Sequence, residues 1–214
     1  MTRSMAKEKS EQVSARGRIL DAAFSLFMEH GYAATSTLEI ATRARVSKRE
    51  LYAQVGSKQE MLVACINERA RRLQVSADLP ALRDREDLAR TLTSVGTQLL
   101  REITDPTVIG VFRLAIAEVV RAPEIAQTLD SVGRQTVRTA LREILAQAQS
   151  SRLLDGEPAE MAERFSALLW GNLMVSLLLG VAQRPSSRAI AQRARDATTA
   201  FLQLHPQSDD AVMR

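Results

Sequence analysis

The stretch STLEIATRARVSKRELYAQV, from Ser36 to Val55, decides the fold. Ser36-x-x-Glu39 and Ser47-x-x-Glu50 each have the form of a capping box, in which the serine oxygen accepts from an early backbone amide and the glutamate reaches back. Ser57-x-x-Glu60 repeats the pattern directly afterwards. Three such starts so close together leave room only for short helices, one from Thr37 to about Ala44 and one from Lys48 to about Gln54, with a tight turn between. Two helices joined that closely cannot lie antiparallel. They must cross steeply, as in a helix-turn-helix.

Working outward, Ile19, Leu20, Ala23, Phe24, Phe27 and Met28 recur at helical spacing between Val13 and Gly31, and Gly31 closes that first helix. Leu38, Ile40, Ala41, Val46, Leu51 and Val55 are expected to face it as a small three-helix core. Thr35, Thr37, Ser47, Lys48, Arg49, Tyr52, Gln54 and Lys58 then face outward, a set rich in phosphate-binding and base-reading groups. Beyond Lys58 the periodicity lengthens. Helices are expected from Lys58 to Val75, through Leu88–Ile103, through Val108–Val119, from Pro123 to about Gln149, over Ala159–Val181 and over Ser187–Leu204, with a loop across Asp78–Arg83. The expectation is an all-α chain of about nine helices in two domains. It comprises a disordered arm at 1–12, a helix-turn-helix DNA-binding domain at 13–58, a larger helical domain at 59–205, and a polar tail at 206–214.

Composition agrees with helix. Aromatics are only 4% of the 214 residues, with 9 Gly and 6 Pro, too few strand formers and turn residues for an all-β protein. Residues 1–60 carry ten Lys or Arg against seven Asp or Glu, a net +3, and the remainder carries nineteen against eighteen, a net +1. All four lysines, Lys7, Lys9, Lys48 and Lys58, lie in the front segment, which points to a polyanion partner there. Arg3, Lys7, Lys9, Arg16 and Arg18 are either an arm reaching a neighbouring groove or a solvated tail. The single cysteine, Cys65, makes no internal disulfide, and the polar start lacks the apolar run of a secretory signal, so a cytoplasmic setting is expected. The most apolar run, Leu168–Ala182, is too short for a membrane span. The two histidines, His30 and His205, lie far apart, and no nucleophile elbow, phosphate loop or metal-ligand cluster is present. No enzyme, metal or cofactor is expected.

The run Gly17–Ile66 resembles the DNA-binding domain of the tetracycline-repressor (TetR/AcrR) family. The likeness is carried by Gly-Arg-Ile-Leu-Asp-Ala-Ala at 17–23, Leu-Phe at 26–27, Gly-Tyr at 31–32, Ile-Ala at 40–41, Val-Ser-Lys at 46–48, Leu-Tyr at 51–52 and Ser-Lys at 57–58. Arg113-x-x-x-Ala117-Glu118-x-x-Arg121-x-Pro123 resembles the AefR-like C-terminal domains of the same family. The chain departs from the family pattern at Arg45, where glycine is usual in the turn, and at Val55, where phenylalanine is usual. The resemblance implies a homodimeric repressor, released from a near-palindromic DNA operator by a small ligand through the helix that follows Lys58. It assigns Thr37, Ser47, Tyr52 and Lys58 to the DNA backbone, and Lys48, Arg49 and Gln54 are the candidates for base edges. Glu50 is read as a cap.

For the larger domain, the resemblance implies an apolar pocket between helices, with Leu92, Leu99, Phe112, Ile116, Trp170 and Met174 as candidates and Asn172 as a buried amide needing a partner. The scarcity of aromatics favours an aliphatic ligand over a flat one. Phe165, Leu169, Leu173 and Leu177 on one late helix, and Ile190, Ala194, Ala197 and Phe201 on the next, are expected to form a four-helix interface between two copies. The competing reading is a DNA-binding dimer whose larger domain only dimerises or meets a protein partner, with no small-molecule ligand.

Overall fold

A computed structural model describes residues 14–70 and 82–207, and the side chains of 69 and 70 are left aside. The expected arm with Arg3, Lys7 and Lys9, the helix end at Val75 and most of the Asp78–Arg83 loop lie outside the described residues. The described chain is all helical: α1 (Ala15–His30), α2 (Thr37–Ala44), α3 (Lys48–Val55), α4 (Lys58–Ala70), α5 (Arg85–Ile103), α6 (Pro106–Glu118), α7 (Pro123–Leu129), α8 (Gln135–Ser150), α9 (Pro158–Trp170), α10 (Leu173–Leu178) and α11 (Ser187–Leu204). It divides into two compact units. One holds 14–69 with Leu114–Thr128, and the other holds 82–113 with 129–207. The boundary expected at Lys58 is therefore not where the contacts divide, since α4 and 114–128 belong to the first unit.

In the first unit, α1 buries Ile19, Leu20, Ala23, Phe24 and Phe27, and α2 and α3 add Ile40, Ala41, Ala44, Leu51 and Val55. Met61, Leu62, Cys65 and Ile66 of α4 complete that core, with the Cys65 thiol donating to the Leu20 carbonyl. Two residues change sides. Leu38 is 61% exposed, because α2 turns only Ile40, Ala41 and Ala44 inward. Thr35, expected outside, is buried, and its hydroxyl donates to the Leu26 and Gly31 carbonyls at the end of α1.

The second unit packs α5, α8, α9 and α11 around Leu92, Leu99, Leu141, Ile144, Phe165, Leu169, Ala194 and Phe201. Phe165 and Phe201 meet edge to face with centroids 5.5 Å apart. Gly96 of α5 lets α9 and α11 pack closely: a Cβ there would come within 3.1 Å of Leu169 and 3.6 Å of Ala194.

Two of the expected helices are divided. The helix from Pro123 is interrupted by a π-helical turn, Asp130–Arg134, between α7 and α8, and the backbone stays right-handed helical across it. The helix expected over Ala159–Val181 stops at Trp170, because Gly171 takes φ +45 and ψ −133, a conformation open to glycine. Arg193 holds the break closed, donating through Nε to Leu169 O at 2.6 Å and through Nη2 to Trp170 O at 2.7 Å. A Cβ on Gly171 would lie 2.7 Å from that Nη2. Gly171→Ala is therefore expected to cost about 2 kcal/mol, lowering the melting midpoint by roughly 4–8 °C. An unchanged midpoint in differential scanning calorimetry would refute this account of the break.

Candidate nucleic-acid interface

The ends of α2 and α3 are set by local chemistry. Ser36 Oγ accepts from Glu39 N at 3.2 Å while Glu39 Oε2 accepts from Ser36 N at 2.8 Å, a complete box at the start of α2. Ser57 and Glu60 form a second complete box at the start of α4, at 3.2 and 2.7 Å. At α3 only the serine half forms, Ser47 Oγ accepting from Glu50 N at 3.1 Å. The turn between α2 and α3 follows the Schellman pattern, with Val46 N donating to Ala41 O and Arg45 N to Thr42 O. Arg45 stands in the left-handed position with φ 56 and ψ 49, at a cost of roughly 1 kcal/mol that glycine would not incur.

The far ends are closed from α1. Arg18 Nε donates to Ala44 O, and Arg16 Nη1 to Gln54 O, each at 3.4 Å. A guanidinium at a helix C-terminus meets free carbonyls and the negative end of the macrodipole. Arg16 and Arg18 are thus parts of the head, not of an arm. No signal in the sequence marks this, because the partners lie 26 and 38 residues away.

On the outer surface, the Thr37 and Tyr52 hydroxyls lie 3.2 Å apart, joining α2 to α3, and Tyr52 is 48% exposed. Ser47, Lys48, Arg49 and Gln54 are exposed around α3. Lys58 behaves differently from expectation. Its Nζ donates to Tyr32 O and Thr35 O at 2.9 Å and to Ala33 O at 3.4 Å, and it lies 4.5 Å from the Tyr32 ring centroid. An ammonium has three protons, so this one is turned to carbonyls rather than to phosphate.

The remaining site residues do not gather as expected. Leu92 and Leu99 are fully buried in the second unit's packed core. Phe112, Trp170 and Met174 are partly buried in that unit, whereas Ile116 is 58% exposed and belongs to the other. Asn172 is exposed, since it falls in the break after Gly171 and not inside a helix. The expected dimer face is corrected as well: Phe165, Leu169, Leu177, Ile190, Ala194, Ala197 and Phe201 are buried within the single chain, and Leu173 is partly so. Apolar side chains that large fill their own chain's core first, and the small Ala194 serves the approach of α11 to Gly96. His30 lies exposed at the end of α1, and His205 is buried at the end of α11 with Nδ1 3.3 Å from Asp155 O. Among the described residues no group of three or more His, Cys, Asp or Glu could hold a metal, and no helix is long and apolar enough to cross a membrane.

Two short helices at a fixed tight turn, with hydroxyl and cationic groups on the outer one, define the DNA-binding head of a helix-turn-helix regulator of transcription. The comparisons agree: residues 19–65 match the bacterial regulatory proteins of the tetR family, and residues 90–205 match the C-terminal domain of AefR-like transcriptional repressors. The chain belongs to the tetR family, with an AefR-like C-terminal domain. It is 25% identical over 165 residues to the HTH-type transcriptional regulator YvkB of Bacillus subtilis, covering 76% of this chain and 83% of that one. It is 31% identical over 124 residues to the HTH-type transcriptional repressor Rv3405c of Mycobacterium tuberculosis, covering 57% and 60%. Among solved structures, the Flavonoid-responsive Regulator FrrA superposes with a TM-score of 0.75 at 29% identity, covering 91% of this chain and 97% of that one. A TetR transcriptional regulator from Agrobacterium tumefaciens superposes with a TM-score of 0.77 at 25% identity, covering 92% and 97%.

The caps titrate. Bonds from the Ser36 backbone and hydroxyl hold the Glu39 carboxyl below its ordinary 4.5, and those of Ser57 do the same for Glu60. A depressed folded value means that the contribution is complete above 4.5 and is lost as the pH falls through the folded value. Glu39→Gln with Glu60→Gln should therefore flatten the acid limb of the melting midpoint below pH 4.5. A limb as steep as in the parent chain would contradict these boxes.

Proposed function

We propose that the protein is a homodimeric repressor in the cytoplasm that holds a near-palindromic operator and releases it when a small, largely apolar ligand enters the C-terminal part. The observation that carries the DNA half is the outer face of α3, where Lys48, Arg49, Tyr52 and Gln54 stand exposed on a helix whose inner side is buried through Leu51 and Val55. Thr37 and Tyr52, with hydroxyls 3.2 Å apart, suit a single phosphate. Ser47 Oγ caps α3 as an acceptor and keeps its own proton to donate. Lys48, Arg49 and Gln54 are assigned to base edges, Arg to guanine and Gln to adenine. Lys58 leaves the phosphate set.

Repression is supported by the AefR-like repressor domain and by Rv3405c, whose name is that of a repressor. Response to a small molecule is supported by FrrA, which is described as flavonoid-responsive. Phe112, Trp170 and Met174 remain the ligand candidates here, and Leu92 and Leu99 serve the core. The proposed route of release is the helix that opens at Lys58, α4, with a coupling of ~1–3 kcal/mol. For dimerisation, the apolar side chains left outside the second unit are Val175, Leu179, Val181 and Leu204, exposed by 57 to 77%. A second copy covering the face of Val175 and Leu179 would bury them. Leu179→Glu should then shift sedimentation at low micromolar concentration from dimer to monomer, and an unaltered dimer would rule that face out.

Gel-shift titration tests the DNA contacts. Tyr52→Phe should weaken all sequences alike by about 1 kcal/mol, whereas Arg49→Ala should lose ~1–3 kcal/mol only at the base pair it reads. Equal losses across operators would overturn the division of roles. Affinity should fall steeply with salt. A thermal-shift screen of aliphatic and flavonoid compounds tests the ligand, and a chain that no compound stabilises, yet still binds DNA, favours the dimer without a ligand.

A further inference from the structure

Glu118, which lies inside the AefR-like motif Arg113–Pro123, plays no part in the contacts assigned so far. Glu118 is the last residue of α6, belongs by contacts to the unit that contains the helix-turn-helix, and is only 8% exposed. A carboxylate buried that far is costly unless bonded. Its Oε1 accepts from the backbone N–H of Ala33, 85 residues earlier, at 3.4 Å. The other polar group of that peptide bond, the Tyr32 carbonyl, accepts from Lys58 Nζ at 2.9 Å. Peptide 32–33 therefore lies between an anion on its N–H side and a cation on its carbonyl side, and each charge complements the dipole end it meets. Lys58 extends the grip to the Ala33 and Thr35 carbonyls. Burial, with the Glu124 and Glu118 carboxylates adding to it, holds the neighbouring Tyr32 phenol above its ordinary 10.0.

The gripped peptide is close to the operator face. After Ala33 come Ala34, the buried Thr35, the cap Ser36 and then Thr37, whose hydroxyl meets Tyr52. Little slack separates the grip from the first turn of α2.

We propose that Glu118 is a positioning residue for DNA binding: with Lys58 it clamps peptide 32–33 and so sets the angle at which α2 presents Thr37, beside Tyr52, to the operator. The proposal rests on the DNA-contact reading of Thr37 and Tyr52. It also carries a sign that simple electrostatics does not. Removing an acidic residue from a DNA-binding protein reduces repulsion and by itself tightens binding. Loss of the clamp weakens it.

The test uses the full chain and a labelled duplex recovered from genomic DNA bound by the parent protein, with anisotropy titrations between about 50 and 200 mM salt. Glu118→Ala is expected to bind roughly tenfold more weakly with the salt slope of the parent, and Glu118→Gln, which keeps an oxygen acceptor, to recover part of the loss. Lys58→Ala should lose a similar factor, and the double variant no more than the weaker single, since both act on one peptide. Equal or tighter binding by Glu118→Ala overturns the proposal, as do additive losses. So does a salt slope lowered by about 0.9 in Lys58→Ala, which would mark its ammonium as a phosphate ligand. If circular dichroism shows Glu118→Ala unfolded, Glu118→Gln decides: faster hydrogen exchange at the Ala33 amide with weaker operator binding sustains the clamp, and unchanged affinity refutes it. A parent chain that binds the duplex without salt dependence would instead defeat the DNA reading, and the clamp's role with it.

Discussion

A DNA-reading helix is useful only if its angle is fixed, and here that angle depends on how the ends of α2 and α3 are held. Short helices have nearly as many unpaired terminal groups as paired ones. Serines and glutamates satisfy the amide ends, and the carbonyl ends are met by guanidinium groups that α1 sends to Ala44 and Gln54. The chain reverses between them through Arg45 in a left-handed conformation that most residues avoid.

The same chemistry recurs in the second unit, which carries arginine and no lysine. Arg85 donates to the carbonyls of Leu153, Leu202 and His205 at once, Arg113 to Leu177 and Leu178, and Arg193 to Leu169 and Trp170. A planar guanidinium offers five donors in a rigid fork and can close several carbonyls together, as the Lys58 ammonium does for three carbonyls in the first unit. Arg152, with φ 58, repeats at the end of α8 the left-handed closure that Arg45 makes at α2. The π-helical turn before α8 has no comparable explanation in the side chains around it.

The head was legible because its signals are local. A serine three residues before a glutamate, or a glycine after a periodic run, acts within one turn of helix. The contacts that sequence reading missed or misassigned act over long separations: Arg16 and Arg18 on helix ends, Glu118 on Ala33, and Lys58 turned back to carbonyls that precede it by more than 20 residues. Apolar periodicity identified the right faces of α9 and α11 but not what covers them, since burial in one's own core and burial against a second copy leave the same pattern. Phe165 and Phe201 are the clear case. Gly171 hid the break before α10 because one glycine in an apolar run reads as tolerated helix.

The central claim is that the face of α3 meets a duplex, and does so twice. Hydroxyl-radical footprinting of the bound operator measures this directly. Two protected patches on one side of the duplex, centred about 34–36 Å apart or a small multiple of that, are predicted. A single patch, or protection spread evenly around the duplex, would contradict it.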